Sequence, residues 1–572
     1  MCDPEPKVWH PEDLWRGYDP RALPLDVHEI KVWNENGCSY RELTFTSEVA
    51  DGKPVRVFAI EGAPASGRNL PGILHIHGGG QTASLDWVRF WAKRRYVCVS
   101  FDYCGPWADR TEYTDWGPLT HCNMAHAEGG YQVHPTPRAS AWYHWALASR
   151  RAITLLEGHP AVNTARIGVF GISMGGTLTW LVAGSDRRVK AAVPIYGCGY
   201  NVDPRKTARG LPEPSEDQMV YKAALSPEAH APMISCPVLF LDATNDHHGW
   251  MDDAYDALAA VRGPSRQAFT PRYIHHIEPE QGRDLPLWMD WHLRGGNPWP
   301  KTPIVRAGID PDGELSATVT PDRAAGVTRV DVYYCLGDRI PPDRLWRQVV
   351  PSREGSRYTA PLPVMDVRSS VHMFANVEYT DGVCLTSNLV KAVPGRIGNA
   401  RKQLAWSPEI AGSEVLSDWR YSLAYTDPNV DSEVIRILEE GRRRFVTVDT
   451  SVFGDPVDFV ISSHAIGDPQ WHGRDGMSLQ FRCRGGFDEH GLTVSLVGSE
   501  WTLAATTYTA IVPQSEIMGG WRIVDLPMSA FRTDQGKRLT NWELVEKLEL
   551  KGRASRANPP CFGEFRWAAD HR

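Results

Sequence analysis

No apolar run in this chain approaches the roughly 20 residues that a membrane-crossing helix needs, so nothing in it reads as a helical span. The 11 cysteines are scattered, odd in number and without a C-x-x-C pair, which argues against a disulfide framework. Basic residues are in deficit. The 61 Lys and Arg face 69 Asp and Glu, a net charge of −8, with no basic patch to hold nucleic acid. There is no repeat of fixed period and no low-complexity tract. Residues 1–19 are polar, proline-bearing and acidic, and lack the apolar core of a signal peptide. Taken as complete, the chain is expected in the cytoplasm. With a leader removed it would be periplasmic or secreted, and Cys2 could then be the lipid-bearing residue of a lipoprotein.

What the sequence does hold is a serine between glycines. Gly171-Ile172-Ser173-Met174-Gly175-Gly176 follows a short apolar run at 166–170 and opens another at 177–183. That is a strand, a sharp turn and a helix, the G-x-S-x-G arrangement that lifts a serine hydroxyl above the carboxyl end of a sheet. Upstream, the apolar run 72–76 ends in His77-Gly78-Gly79-Gly80, a glycine turn that leaves backbone N–H groups free. The N–H of Gly79 and that of Met174 are the candidate oxyanion donors. Downstream, the run 237–242 is followed by a loop carrying Asp246, His247 and His248, and the run 266–270 by a loop carrying His275 and His276. Serine, then acid, then histidine is the chain order of an α/β-hydrolase triad. The two adjacent histidines point to opposite sides of an extended loop, so only one can face Ser173. His275 is preferred as the nearer to the strand end, with His276 as the alternative. Asp242 ends its apolar run and reads as structural. The four loop histidines lack any spacing that resembles a zinc site, so neither metal nor cofactor is expected.

The chain beyond these motifs divides by pattern. Residues 1–40 form a tryptophan-bearing arm, and 41–297 an α/β unit with opening antiparallel strands at 41–45 and 54–61. Helices are expected at 86–95, 139–157, 253–261 and 284–293, and strands at 96–102 and 188–196. The irregular stretch 104–138 leaves a strand at its carboxyl end, where open α/β sheets bind ligands. It reads as pocket wall, with Trp107, Trp116, His121 and His126 as candidate lining; Gly80 and His247 are further candidate substrate contacts. Residues 202–235 read as a second, lid-like insertion. Beyond 298 the pattern alternates between turns, as at 327–334 and 371–379, which is the sandwich signal. An immunoglobulin-like β-domain is expected at 298–398 and a jelly-roll β-sandwich at 405–572. The strands of the latter are placed at 444–449, 458–463, 477–482, 492–497, 501–512 and 521–526.

Residues 40–295 resemble the α/β-hydrolases, closest in layout to the dienelactone hydrolase, acetyl xylan esterase and prolyl oligopeptidase-like group. The resemblance rests on residues 75–80, 101–106, 171–176, 244–248 and 272–280, within about half of the chain. It implies that Ser173 attacks an acyl carbonyl while a histidine takes its proton and later passes it to the leaving alcohol. It further implies that Asp246 holds that histidine in the right tautomer, and that the Gly79 and Met174 amides bind the oxyanion. The last region resembles, in architecture only, the jelly-roll modules of carbohydrate-binding domains. Of the 22 tryptophans, Trp406, Trp419, Trp471, Trp501, Trp521, Trp542 and Trp567 lie in or beside it. Singly each suits a core; together they tilt the reading towards a glycan, since an indole face suits a sugar ring.

The expected activity is therefore hydrolysis of acyl esters, acetyl above others, on a carbohydrate or polysaccharide. Three alternatives stand beside it: a prolyl oligopeptidase-like serine peptidase, a small-ester or lactone hydrolase, and an inactive carbohydrate-binding protein. About 70 residues precede the His77 strand, too few for the propeller that guards such peptidases. The intact Ser, Asp and His weigh against an inactive site. Removal of 410–572 is expected to weaken polysaccharide association and spare small-ester turnover. Oligomeric state, acyl group and sugar are not legible.

Overall fold

The computed structural model describes residues 9–103, 105, 110–123, 132–199, 214–246, 248–410, 415–421, 434–449, 455–498 and 506–569. Its centre is a sheet of nine strands: β1 (His28–Glu35), β2 (Cys38–Ala50), β3 (Lys53–Pro64), β4 (Leu70–Ile76), β5 (Val97–Phe101), β6 (Val162–Ile172), β7 (Val189–Ile195), β8 (Val238–Ala243) and β9 (Ser265–Thr270). They lie in the order β1-β2-β3-β5-β4-β6-β7-β8-β9. Pairing is antiparallel from β1 through β3 to β5 and parallel from β5 to β9. Strands β4, β5 and β8 are buried at every position, which explains their unbroken apolar runs, since a parallel sheet is covered on both faces.

The helices are α1 (Pro11–Leu14) in the N-terminal segment, then α2 (Leu85–Lys93), α3 (Ala141–Gly158) and α4 (Met174–Ser185) beside the sheet. The Ser84 hydroxyl accepts from the Trp87 N–H to start α2, with Asp86 in its first turn and Lys93 in its last. The closing helices are Met251–Ala260 and Asp284–Arg294. Of the stretch read as a lid, 202–213 lies outside the described residues, and the rest forms helices at Glu216–Ala224 and Pro227–His230.

One boundary moves. The sheet begins inside the segment read as an arm, because β1 pairs with β2 as its outer strand. Its burial pattern shows no alternation, since an edge strand with both faces wet need not alternate. The segment before it is held by arginines of α3 and its approach. Arg138 donates to the carbonyls of Asp13, Leu14 and Arg16 at 2.9, 3.0 and 3.1 Å. Arg151, 1 % exposed, donates to the carbonyls of Pro20, Pro24 and Thr46.

Trp15 of this segment donates its indole N–H to Nε2 of the buried His230 at 3.0 Å. Burial lowers His230 to about 4 and His372 to about 3. The folded chain keeps both neutral, whereas the unfolded chain protonates them below about 6.5. Between those values the unfolded state binds more protons, so stability is expected to fall as the pH drops from about 6.5 towards 4. The slope is at most about 1.4 kcal/mol per pH unit for each histidine. Urea midpoints at pH 7 and pH 5 test this, and equal midpoints would contradict it.

Beyond the nine-stranded sheet the described residues are mainly β. Residues 304–392 form two antiparallel sheets whose strands include Leu315–Thr320, Val327–Leu336, Arg357–Leu362 and Val371–Tyr379. From Arg420 on, two five-stranded antiparallel sheets follow. The strands expected at 444–449, 458–463, 477–482 and 521–526 form at Arg443–Val448, Val457–Ser463, Met477–Arg484 and Arg522–Pro527. The strand at 492–497 is the end of Phe487–Val497, and 501–512 is described as a strand over Thr507–Val512. Trp501 lies outside the described residues. Trp419, Trp471, Trp542 and Trp567 are buried, so the tryptophan excess here builds core. Trp406 and Trp521 are half-buried, and the Trp521 indole N–H is donated to Glu440 at 2.9 Å.

The middle β-region does not stand apart. Its Val305, Val332 and Val371 belong to one continuous buried cluster with Ile73, Phe170 and Leu241 of the nine-stranded sheet. On the other side Tyr333, Trp346 and Phe374 join the cluster of Val99, Val169 and Phe240. The last region has a core largely its own.

Candidate active site

At the carboxyl end of β6 the chain turns through Ser173, whose φ of 58° and ψ of −117° place a non-glycine residue in left-handed space. The neighbouring glycines are required by contact. A Cβ on Gly171 would lie 2.2 Å from the Gly175 carbonyl oxygen, and one on Gly175 would lie 2.1 Å from that of Ile76. The Ser173 N–H is donated to the Ile195 carbonyl at 2.8 Å, locking the turn to the end of β7. The serine thus sits where α4 begins, beside the glycine turn after β4.

His77 organises that turn. The Tyr103 N–H is donated to His77 Nε2 at 3.2 Å, so the ring proton sits on Nδ1 and is donated to the Gly78 carbonyl at 2.7 Å. The Tyr103 hydroxyl donates to the His77 carbonyl at 2.8 Å, and its ring stacks on the imidazole at 4.1 Å. With both carbonyls held inward, Gly79 and Gly80 are exposed. Among the described residues, neither the Gly79 nor the Met174 N–H is taken by a protein acceptor, as oxyanion donors must be.

The candidate acid and base meet. His275 Nδ1 donates to Asp246 Oδ2 at 2.6 Å, and the His248 N–H donates to Asp246 Oδ1 at 2.6 Å. Asp246 is 1 % exposed. The His275 ring stacks on Tyr196 at 3.9 Å, and Tyr196 directly follows the strand end that receives the Ser173 N–H. His276 turns outward: its side chain is 46 % exposed, with Nε2 3.5 Å from Glu278. Asp242 is fully buried. Burial and the Asp246 carboxylate hold it well above the usual carboxylate range, and its Oδ1 accepts from the Ala243 N–H at 2.7 Å. Burial also lowers His248, keeping a second positive charge away from His275.

Both loops are held from outside the hydrolase sheet, which their sequence did not announce. Asn245 donates its amide to the carbonyls of Pro341, Pro342 and Arg344 at 3.3, 2.9 and 2.8 Å. The buried Arg344 grips Asp252 through two bonds of 2.6 and 2.7 Å. In the base loop Arg272 takes a φ of 72°; its Nε donates to the Trp346 carbonyl at 2.6 Å, and its own carbonyl accepts from Arg420. The Arg420 guanidinium also lies over the Tyr273 ring at 4.9 Å. The Asn245 N–H donates to the Tyr273 carbonyl at 3.0 Å, tying the two loops together. Only long-range polar contacts reveal this frame, and no local motif carries them.

The expected pocket wall is partly corrected. Trp116 is buried, 3 % exposed, with its indole N–H donated to the Tyr103 carbonyl at 3.2 Å, so its ring fills core instead of facing substrate. His121 is half-buried, with Nε2 3.0 Å from the Ala139 carbonyl. Trp107, His126 and His247 lie outside the described residues. Arg110 donates to the Ala83 carbonyl at 2.9 Å and to the Thr82 hydroxyl, bracing the chain just after the glycine turn.

Residues 32–202 match the family model of acetyl xylan esterases, and residues 142–267 that of the dienelactone hydrolase family. Among solved structures, an acetyl xylan esterase from Paenibacillus sp. R4 is 18% identical, covering 48% of this chain and 91% of its own, with a TM-score of 0.39. Acetyl xylan esterase 1 from Thermoanaerobacterium sp. JW/SL YS485 is 17% identical over 47% of this chain and 88% of its own, with a TM-score of 0.37. A glucuronoyl esterase from Solibacter usitatus is 15% identical over 50% of this chain and 89% of its own, with a TM-score of 0.35. No curated protein matches the chain.

Proposed function

We propose, from the premise that the chain is an α/β-hydrolase serine esterase, that it removes acyl groups, acetyl above others, from a carbohydrate through an acyl-enzyme intermediate. The observation that carries the mechanism is the 2.6 Å bond from His275 Nδ1 to Asp246, beside the strained turn at Ser173. With Nδ1–H committed to the carboxylate, Nε2 carries the lone pair that takes the serine proton. The alkoxide attacks the ester carbonyl, and the Gly79 and Met174 N–H groups stabilise the resulting oxyanion. His275 then returns the proton to the leaving sugar hydroxyl. Water, deprotonated by the same imidazole, releases the acid and restores Ser173. His276 has no part in this sequence.

The carbohydrate reading draws on the acetyl xylan esterase family model. The middle and last regions fit immunoglobulin-like and jelly-roll sandwiches, the latter as a glycan-binding module. The test is a panel of acetylated, feruloylated and methyl-esterified glycans assayed for released acid and alcohol. Acetate release from an acetylated glycan, faster than from a simple alkyl acetate, is the expected result. Turnover of simple esters alone would leave the esterase and remove the glycan.

A further inference from the structure

A segment of the irregular stretch, Thr120–Cys122, meets the start of α3. We propose that His121, Cys122 and His144 form a binding site for a borderline divalent cation of the zinc type, with Glu48 as its supporting carboxylate. The site is distinct from the four histidines of the acid and base loops.

Each of the three side chains offers one ligand atom, and these atoms all lie within 4.8 Å of one another. Cys122 Sγ and His121 Nε2 are 3.5 Å apart. A tetrahedral zinc, with Zn–S of about 2.3 Å and Zn–N of about 2.0–2.1 Å, separates a sulfur and a nitrogen ligand by about that distance. The His144 ring meets that of His121 edge-on, with centroids 5.8 Å apart.

Glu48 makes the cluster more than a chance meeting. Its two carboxylate oxygens lie 2.9 and 3.1 Å from His144 Nδ1. With Nδ1–H given to Glu48, the Nε2 lone pair of His144 is left for a cation. Metal-bound histidines are oriented in this way, by a carboxylate on the far nitrogen. The charges also match: a Cys122 thiolate and the Glu48 carboxylate balance one divalent cation, so the filled site is neutral. Coordination replaces the proton on His121 Nε2, and the Ala139 carbonyl 3.0 Å away can then accept from a water in the fourth position.

Three elements supply the groups: the turn Thr120–Cys122, helix α3 and strand β2. A cation there would pin the segment 110–123 to the body of the fold. The same segment holds Ala83 through Arg110, so the pin would also steady the chain beyond the glycine turn.

The whole reduced protein, dialysed against chelator, should take up one equivalent of Co2+ with a thiolate-to-cobalt charge-transfer band, and Zn2+ should displace it. Cys122→Ser should lose that band although the other cysteines remain. Glu48→Gln should weaken binding about 10–100-fold, as loss of such a supporting carboxylate does elsewhere. Zn2+ should raise the melting temperature of the wild type and not of His144→Ala. Absence of Co2+ or Zn2+ uptake at micromolar metal would overturn the proposal, as would an undiminished band in Cys122→Ser. Should Cys122→Ser fail to fold, wild-type affinity in Glu48→Gln and His144→Ala would overturn it equally.

Discussion

Ser173→Ala is expected to lower kcat on a chromogenic acetate ester by about 10⁶-fold and to abolish labelling by a fluorophosphonate probe. Alanine keeps the backbone of the turn, so the loss would report the missing hydroxyl. His275→Ala should cost about as much, because nucleophile and base act as one unit and removing either disables both. His276→Ala should retain most activity, since its ring faces Glu278 and solvent. Equal, mild losses in the two histidine variants would mean that the base lies elsewhere. Labelling that persists in Ser173→Ala would remove the nucleophile assignment.

The second large effect is expected one residue before the acid. Asn245→Ala takes the side-chain donor from the buried carbonyls of Pro342 and Arg344, while the Pro341 carbonyl keeps the Arg344 N–H at 3.3 Å. Each unsatisfied buried group costs about 1–3 kcal/mol. The Asp246 loop loses its anchor, and a misplacement of about 1 Å at a reacting group can cost 10²-fold in rate. The expected result is a kcat lower by about 10²-fold with KM nearly unchanged. Asn245→Asp should be worse, because an ionised carboxylate would face carbonyl oxygens with no N–H to give. Steady-state kinetics with urea unfolding separates the loop effect from general destabilisation. Wild-type kcat in both variants would show that the acid loop holds without the middle β-region.

The same contacts revise what truncation should do. Arg420, at the start of the last region, donates to the Arg272 carbonyl in the base loop. Removing 410–572 leaves Arg420 absent and that loop loose, so small-ester turnover should fall together with any glycan association.

How legible this was depends on the range of the interaction. The turn at Ser173 was readable because its signature is local: glycines stand two residues before and two after the serine, and β6 leads straight into α4. Strands β4, β5 and β8 were readable because full burial writes an apolar run, and the acid and base loops were placed by their order in the chain. The preference for His275 over His276 rested on its place nearer the strand end, and its bond to Asp246 favours the same choice. β1 was missed since an edge strand with wet faces leaves no alternation. Trp116 misled because an aromatic in an irregular stretch looks the same whether it lines a pocket or fills a core. Asn245, Arg344 and Arg420 were invisible, each being a single polar residue whose partner lies far away in the chain.

The shared cluster that joins Val305, Val332 and Val371 to Ile73, Phe170 and Leu241 has a consequence for biosynthesis. A ribosome delivers the serine turn long before it delivers the strands that pack against the outer edge of its sheet, at β9. Until Asn376 and Thr386 have emerged, the Phe269 carbonyl and N–H on the outer edge of β9 lack the side chains that hold them at 3.1 and 2.7 Å. The loops of Asn245 and Arg272 therefore gain their outer hold only once residues up to Arg420 have been synthesised.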